Sequence, residues 1–156
     1  KPIRLARAEL VGHLPGRKDR LPASICTEVL LDDLDTGRTV VVEDYHMTAE
    51  VQMGSGYRKD LAHRLRVMRH KREKRRLGRR SRMHQRRDRT VYPAGDGNFD
   101  GMQLGGFVNC WTDRPGGDLG GRAVSIIFAA RKPLNLWTVV TPSDHKTVLA
   151  TYKEKP

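Results

Sequence analysis

Residues 58–89 hold sixteen basic side chains: Arg58, Lys59, Arg64, Arg66, Arg69, Lys71, Arg72, Lys74, Arg75, Arg76, Arg79, Arg80, Arg82, Arg86, Arg87 and Arg89. Only Asp60, Glu73 and Asp88 oppose them, so the stretch carries +13 while the whole chain carries +12. The rest of the molecule is therefore close to neutral. Within the run only Lys59, Lys71 and Lys74 are lysines. A guanidinium forks onto phosphate oxygens and stacks on bases, which an ammonium does not do. A block of one sign repels itself unless water or a polyanion surrounds it. The chemistry expected of this run is nucleic-acid binding, with Arg69, Lys71, Arg72, Lys74, Arg75, Arg76, Arg79, Arg80, Arg82, Arg86, Arg87 and Arg89 as the contacts.

The other reactive residues form weaker patterns. Asp96-Gly97-Asn98-Phe99-Asp100-Gly101 reproduces the first half of a calcium-binding loop, with hard oxygens at alternating positions and then a turn glycine. The twelfth loop position is Phe107, where a bidentate Glu is required, so an Asx turn without metal is expected instead. His13, His46, His63, His70, His84 and His145 lack zinc-site spacing. Ser24, Ser55, Ser81, Ser125 and Ser143 lack a nucleophile-elbow setting. The Asp32, Asp33 and Asp35 cluster reads as turn chemistry. No catalytic constellation, metal site or cofactor motif is legible, and the chain reads as a non-enzyme. Cys26 and Cys110 stand far apart outside any CxxC pair, which predicts two buried reduced thiols.

These residues need elements to carry them. Ile3–Val11 reads as an edge strand. Ile25–Leu31 and Arg38–Asp44 flank an Asp/Thr/Gly turn and read as a hairpin. Met47, Ala49 and Val51 alternate with polar residues and suggest a further strand. Leu61, Leu65 and Met68 recur at helical spacing, predicting a helix over 57–68 docked through that apolar face. No apolar residue occurs between Arg69 and Arg76, so residues 69–89 are expected to project as an arm, with Gly78 allowing a bend. Residues 93–121 hold nine glycines and read as a long irregular loop. Ala123–Ala130, Leu136–Thr141 and Thr147–Tyr152 read as strands. The fold class expected is α+β: a small β-rich domain, an OB-like barrel or a mixed sheet, with one long Arg-rich helix or extension. Its parts are N-terminal strands over 1–56, a basic helix or arm over 57–92, and a Gly-rich loop with C-terminal strands over 93–156.

With 37% hydrophobic residues the chain fits one modest core, and its apolar runs are too short to cross a bilayer as helices. A small neutral body with one basic arm is a compositional type shared by many ribosomal proteins. It implies a structural RNA-binding protein of a large ribonucleoprotein, whose arm contacts rRNA and whose body meets neighbouring proteins. Lys1 in place of an initiator methionine, with no bacterial-type pattern, adds a mitochondrial location to that expectation, with the cytoplasm otherwise. The alternatives are an accessory subunit of a membrane-bound or other multiprotein complex and, third, a nucleic-acid-processing enzyme whose site the sequence hides.

Overall fold

The computed structural model describes residues 3–14, 24–48, 61–142 and 145–153. Among them the order of elements is β1 (Ile3–Leu14), β2 (Ser24–Asp33), β3 (Thr39–His46), α1 (Leu61–Gln85), β4 (Thr90–Asp96), β5 (Val108–Asn109), β6 (Ser125–Ala129), β7 (Asn135–Val139) and β8 (Thr147–Thr151). Six strands form one sheet in the order β1-β2-β3-β4-β6-β5, and β7 pairs with β8 in a separate ribbon. The β3–β4 pair is parallel, and α1 is the crossover that parallel pairing requires. The architecture is thus an open mixed sheet with one helix. The OB-like barrel is excluded, because β1 and β5 remain sheet edges. No described helix is long and apolar enough to cross a membrane.

The β2–β3 hairpin follows its turn chemistry. Asp33 Oδ1 accepts the amides of Asp35 and Thr36 at 3.0 and 3.3 Å. Gly37 closes the turn at φ 66°, a left-handed conformation that suits a residue without Cβ. Period-2 alternation then sends Glu28 and Leu30 of β2, and Val41, Glu43 and Tyr45 of β3, to one buried face.

Helix α1 covers that face, and here the structure corrects the sequence reading. Leu65 and Met68, predicted to dock the helix, are 41% and 58% exposed. The side chain of Leu61 and residues 57–60 lie outside those described. The buried stripe is instead His70, Glu73, Leu77, Ser81 and His84, spaced at helical intervals but mostly polar. It is accepted because the strands beneath present carboxylates. His84 Nε2 lies 2.7 Å from Glu28 Oε2, and Arg80 Nε donates to the same oxygen at 2.6 Å. Ser81 Oγ bonds Glu43, and Glu73 accepts from the backbone N and the hydroxyl of Thr48 at 2.8 and 2.7 Å. Arg69 to Arg89 therefore does not project as an arm. Nor does Gly78 break the helix. It lies buried where a Cβ would come within 3.2 Å of Leu104 Cδ1, so its bareness permits close packing.

The apolar core sits between the sheet and α1. It contains Leu30, Val41, Tyr45, Leu77, Val91, Ile126 and Phe128, completed by Met102, Leu104, Phe107 and Cys110 from the glycine-rich segment. Each large side chain buried there stabilises by roughly 1.5–3 kcal/mol. The segment read as irregular loop thus supplies a share of the core and the short strand β5. Strand β4 was not anticipated, since it straddles the end of the basic run and the start of the span read as glycine-rich loop. The Met47–Val51 strand does not form at Met47 and Thr48, and its remainder lies outside the described residues. Cys26 and Cys110 are free thiols. Burial pushes Cys26 up to about 12 and Cys110 up to about 11.

Candidate active site

The parallel strands β3 and β4 end side by side, and their carboxyl ends carry the reactive groups. Register pairs Tyr45 with Gly95 and His46 with Asp96. A Cβ on Gly95 would lie 2.0 Å from Tyr45 O, and its φ is 145°. Only glycine lets the strands approach this closely, and the approach sets Asp96 beside His46, with Asp96 Oδ2 3.7 Å from His46 Nε2. The chain then turns as the Asp/Asn pattern predicts. Asp96 Oδ1 accepts from Asn98 N at 2.7 Å. Asn98 Nδ2 donates to Met47 O at 2.9 Å, and Met47 N donates to Asp96 O at 2.9 Å, locking the turn to the end of β3. From below, His70 Nε2 lies 2.8 Å from Gly97 O, so this nitrogen carries the hydrogen. Burial lowers the pKa of His70 below its ordinary value, which agrees with a neutral ring.

A second pair comes from residues 27 positions apart. Asp118 has a fully buried side chain, and its Oδ2 lies 2.9 Å from His145 Nδ1. Asp118 Oδ1 accepts the amides of Val124 and Ser125 at 2.9 and 3.0 Å. A carboxylate fixed by amides in this way can only accept, so His145 holds its hydrogen on Nδ1 and its lone pair on Nε2. Ser125 Oγ stands 3.1 Å from the same Nδ1. Asp118 is placed by a tight turn. Leu119 and Arg122 exchange hydrogen bonds of 3.2 and 2.9 Å across Gly120 and Gly121 at φ 53° and 83°. This part of the segment read as irregular loop is therefore a tight turn, and it seats the histidine's partner.

Asp96, Ser125 and His145 line one open cavity of ≈ 330 Å³, together with Thr141, Lys146 and Val148. The arrangement offers a positioned base at His145, a carboxylate at Asp96 and a cation at Lys146. This is the chemistry of proton abstraction from a nucleophile next to an anionic centre. It lies against the carboxyl-terminal residues of β4, Ala94 to Asp96, beside β6 and β8.

The sequence-predicted contacts fall elsewhere. Lys71, Arg72, Arg75, Arg76, Arg79, Arg82, Arg86 and Arg87 are exposed on α1 and its C-terminal turn. Arg69 and Arg80 are not: Arg69 bonds Glu73 at 3.0 Å, and Arg80 bonds Glu28 and lies 3.4 Å from Glu9. Lys74 is half-buried, and Arg89 Nη1 donates to His84 Nδ1 at 3.0 Å. The Asp96–Asn98 turn formed as read, yet its carboxylate was discounted as mere turn chemistry. Asp118 and His145 could not be joined from spacing, because only the fold brings them together.

One further cluster has metal-ligand atoms close together. Glu28, Glu43 and His84, all buried, bring one atom each within 4.8 Å of one another. Most of its polar atoms already have protein partners, and Glu43 Oε1 is the buried oxygen left without one among the described residues. Arg89 is a donor only, so His84 Nδ1 accepts and Nε2 carries a hydrogen toward Glu28. Arg80 and Arg7 neutralise Glu28 at 2.6 and 3.0 Å. Ser81 Oγ also lies 2.8 Å from Leu77 O. The hydroxyl's one hydrogen is shared between that carbonyl and Glu43 Oε2. Burial pushes the Glu43 pKa up to about 7, and the nearby Glu28 charge adds to it. This cluster binds helix to sheet.

No family model matches the chain, and no curated protein matches it in sequence. Its fold, however, is shared with solved structures. A humanized TDP2 of D. rerio superposes with a TM-score of 0.68 over 97% of this chain, at 13% identity. The same D. rerio protein in complex with single strand DNA product gives 0.58 over 95%, at 13% identity. The catalytic domain of human Nocturnin with bound sulfate anion gives 0.58 over 96%, at 14% identity. A mannosyl-6-phosphatase of Bacteroides thetaiotaomicron gives 0.53 over 93%, at 15% identity. The chain spans 68, 67, 60 and 67% of those chains respectively. The likeness is one of fold, at 13–15% identity. This overturns the expectation of a non-enzymatic ribosomal constituent. A sheet with its basic helix packed against it is not a neutral domain with a projecting arm.

Proposed function

We propose that this chain hydrolyses phosphate esters, with nucleic-acid strands as its substrate class. The observation that carries the reading is the buried Asp118 fixing His145 on a cavity that also holds Asp96. In this mechanism His145 Nε2 takes a proton from water, the water oxygen attacks phosphorus, and the ester P–O bond breaks. Asp118 stabilises the imidazolium that forms. The departing oxygen takes its proton from solvent. Lys146 offers charge to the phosphoryl oxygens. The neighbours named for a DNA product, a bound sulfate and a sugar phosphatase all concern tetrahedral oxyanions, which supports this substrate chemistry. The exposed cations from Lys71 to Arg87 favour a polyanion over a small phosphate.

A divalent cation is the common partner of a carboxylate in such chemistry, acting as Lewis acid and template. Among the described residues no group of three His, Cys, Asp or Glu donors includes Asp96. These residues alone do not complete a cation site.

The test is turnover of bis-p-nitrophenyl phosphate and of a fluorescent single-stranded oligonucleotide, in buffer containing Mg²⁺. Hydrolysis by the wild type that falls about 10²–10⁴-fold in His145→Ala is expected for loss of a general base. Absence of hydrolysis, or equal turnover by the variant, overturns the reading.

A further inference from the structure

A second cavity of ≈ 330 Å³ lies at the opposite end of β4, around Thr90 and Tyr92. Four cations line it from four separate segments: Arg38 after the β2–β3 turn, Arg89 before β4, Arg131 after β6 and Lys153 after β8. None but Arg89 belongs to the basic run of residues 58–89, so folding assembles this patch from sequence-distant positions. Among the described residues neither Arg131 nor Lys153 makes an ion pair. Two acids face the same space. Asp33 Oδ1 is occupied by the amides of its own turn, and Asp88 is exposed. Four cations against two acids leave the cavity positive. Its wall includes Tyr92 and Tyr152, whose rings lie 5.3 Å apart at 42°. Gln85, at the end of α1, joins the lining.

We infer that this cavity is a phosphate-binding exosite for a nucleic-acid strand, separate from the catalytic cavity. The inference rests on the hydrolase reading above. It adds that the substrate is a strand long enough to touch both ends of the sheet. Thr90 and Asp96 are six residues apart on one strand, roughly 20 Å at about 3.3 Å per residue. At about 3.4 Å per stacked nucleotide that span corresponds to roughly six nucleotides. Cations at the exosite take backbone phosphates. The tyrosine wall offers apolar surface to a base, a sequence-tolerant contact.

The experiment compares wild type with the double variant Arg131→Gln/Lys153→Gln. Binding of fluorescein-labelled oligo-dT of 20 and of 3 nucleotides is measured by anisotropy across a salt series, alongside hydrolysis of bis-p-nitrophenyl phosphate. Loss of two phosphate contacts should lower the slope of log K against log salt by about 1.4, and weaken binding of the 20-mer about tenfold near physiological salt. Binding of the 3-mer and turnover of the small ester should not change. Unchanged affinity and slope for the 20-mer overturn the exosite. So does an equal loss for the 3-mer or the small ester, which places the effect in the fold or the catalytic cavity. If no preparation hydrolyses any ester yet the 20-mer binding falls as stated, the hydrolase reading fails and the exosite stands.

Discussion

Asp118 and His145 show how much a single pair depends on its supports. The carboxylate accepts two amides through Oδ1 and faces the imidazole through Oδ2. In Asp118→Asn the amide oxygen can still accept those two N–H groups. Its NH₂ then faces His145 Nδ1 and forces the opposite tautomer, with the lone pair away from the cavity. Turnover is expected to fall by a factor comparable to that of His145→Ala, while thermal stability drops far less than in Asp118→Ala, which abandons both amides. Gly95 is the other residue on which the site turns. Gly95→Ala puts a methyl 2.0 Å from Tyr45 O at a φ of 145°. A destabilisation of at least about 2–3 kcal/mol in urea unfolding is expected, because the β3–β4 pair must part. The Asp96–Asn98 turn was legible because its chemistry is local. The Asp118–His145 pair was not, because its signal is a contact across 27 residues.

At the scale of elements, α1 explains why a hydrophobic pattern misled. A helix that docks through Leu should show an apolar stripe, and of the one that Leu61, Leu65 and Met68 supplied, the fold leaves Leu65 and Met68 largely in water. The real docked face reads as polar until Glu28 and Glu43 are seen beneath it. Those two carboxylates respond to pH in opposite ways. Burial alone would raise Glu28, but hydrogen bonds from Arg80 and His84 outweigh it and lower its pKa to about 2. Its stabilising contribution is full above its unfolded pKa of 4.5 and is lost as pH falls toward 2. Glu43 is raised to about 7, so its neutral form is favoured in the fold. Its contribution is full below 4.5 and is lost as pH rises through 7. Stability by urea unfolding should therefore be greatest near pH 5 and decline toward pH 8. Glu43→Gln keeps a neutral group beside Ser81. It should remove most of that decline, a gain of up to about 3 kcal/mol at pH 8. Equal pH profiles for variant and wild type would show that Glu43 is not buried neutral. Strand β4 was missed because it straddles the end of the basic run and the start of the span read as glycine-rich loop. Yet Gly95 is what lets β4 close on β3.

For the whole molecule the decisive quantity is where the positive charge can meet solvent. The run of residues 58–89 looked uniform in sequence, but the fold divides it. Arg80 is held against Glu28 and Glu9, and Arg69 against Glu73, whereas Arg72, Arg75, Arg76 and Arg79 face outward. The two groups should behave as different classes. Arg80→Gln leaves the buried Glu28 with Arg7 and His84 alone and is expected to cost about 2 kcal/mol or more, with little change in the salt dependence of strand binding. The quadruple variant Arg72→Gln/Arg75→Gln/Arg76→Gln/Arg79→Gln should do the reverse. Glutamine keeps helix propensity and polarity, so unfolding free energy should stay within about 0.5 kcal/mol per site. Four lost phosphate contacts should lower the salt slope for oligo-dT by about 3. These measurements also separate the contributions of helix and exosite, because their side chains share no partners and their slope changes should add. A slope unmoved by the quadruple variant would mean that the strand does not lie on α1. The outward arginines would then be a solvated face, and the strand would have to be held by the two cavities at the ends of β4.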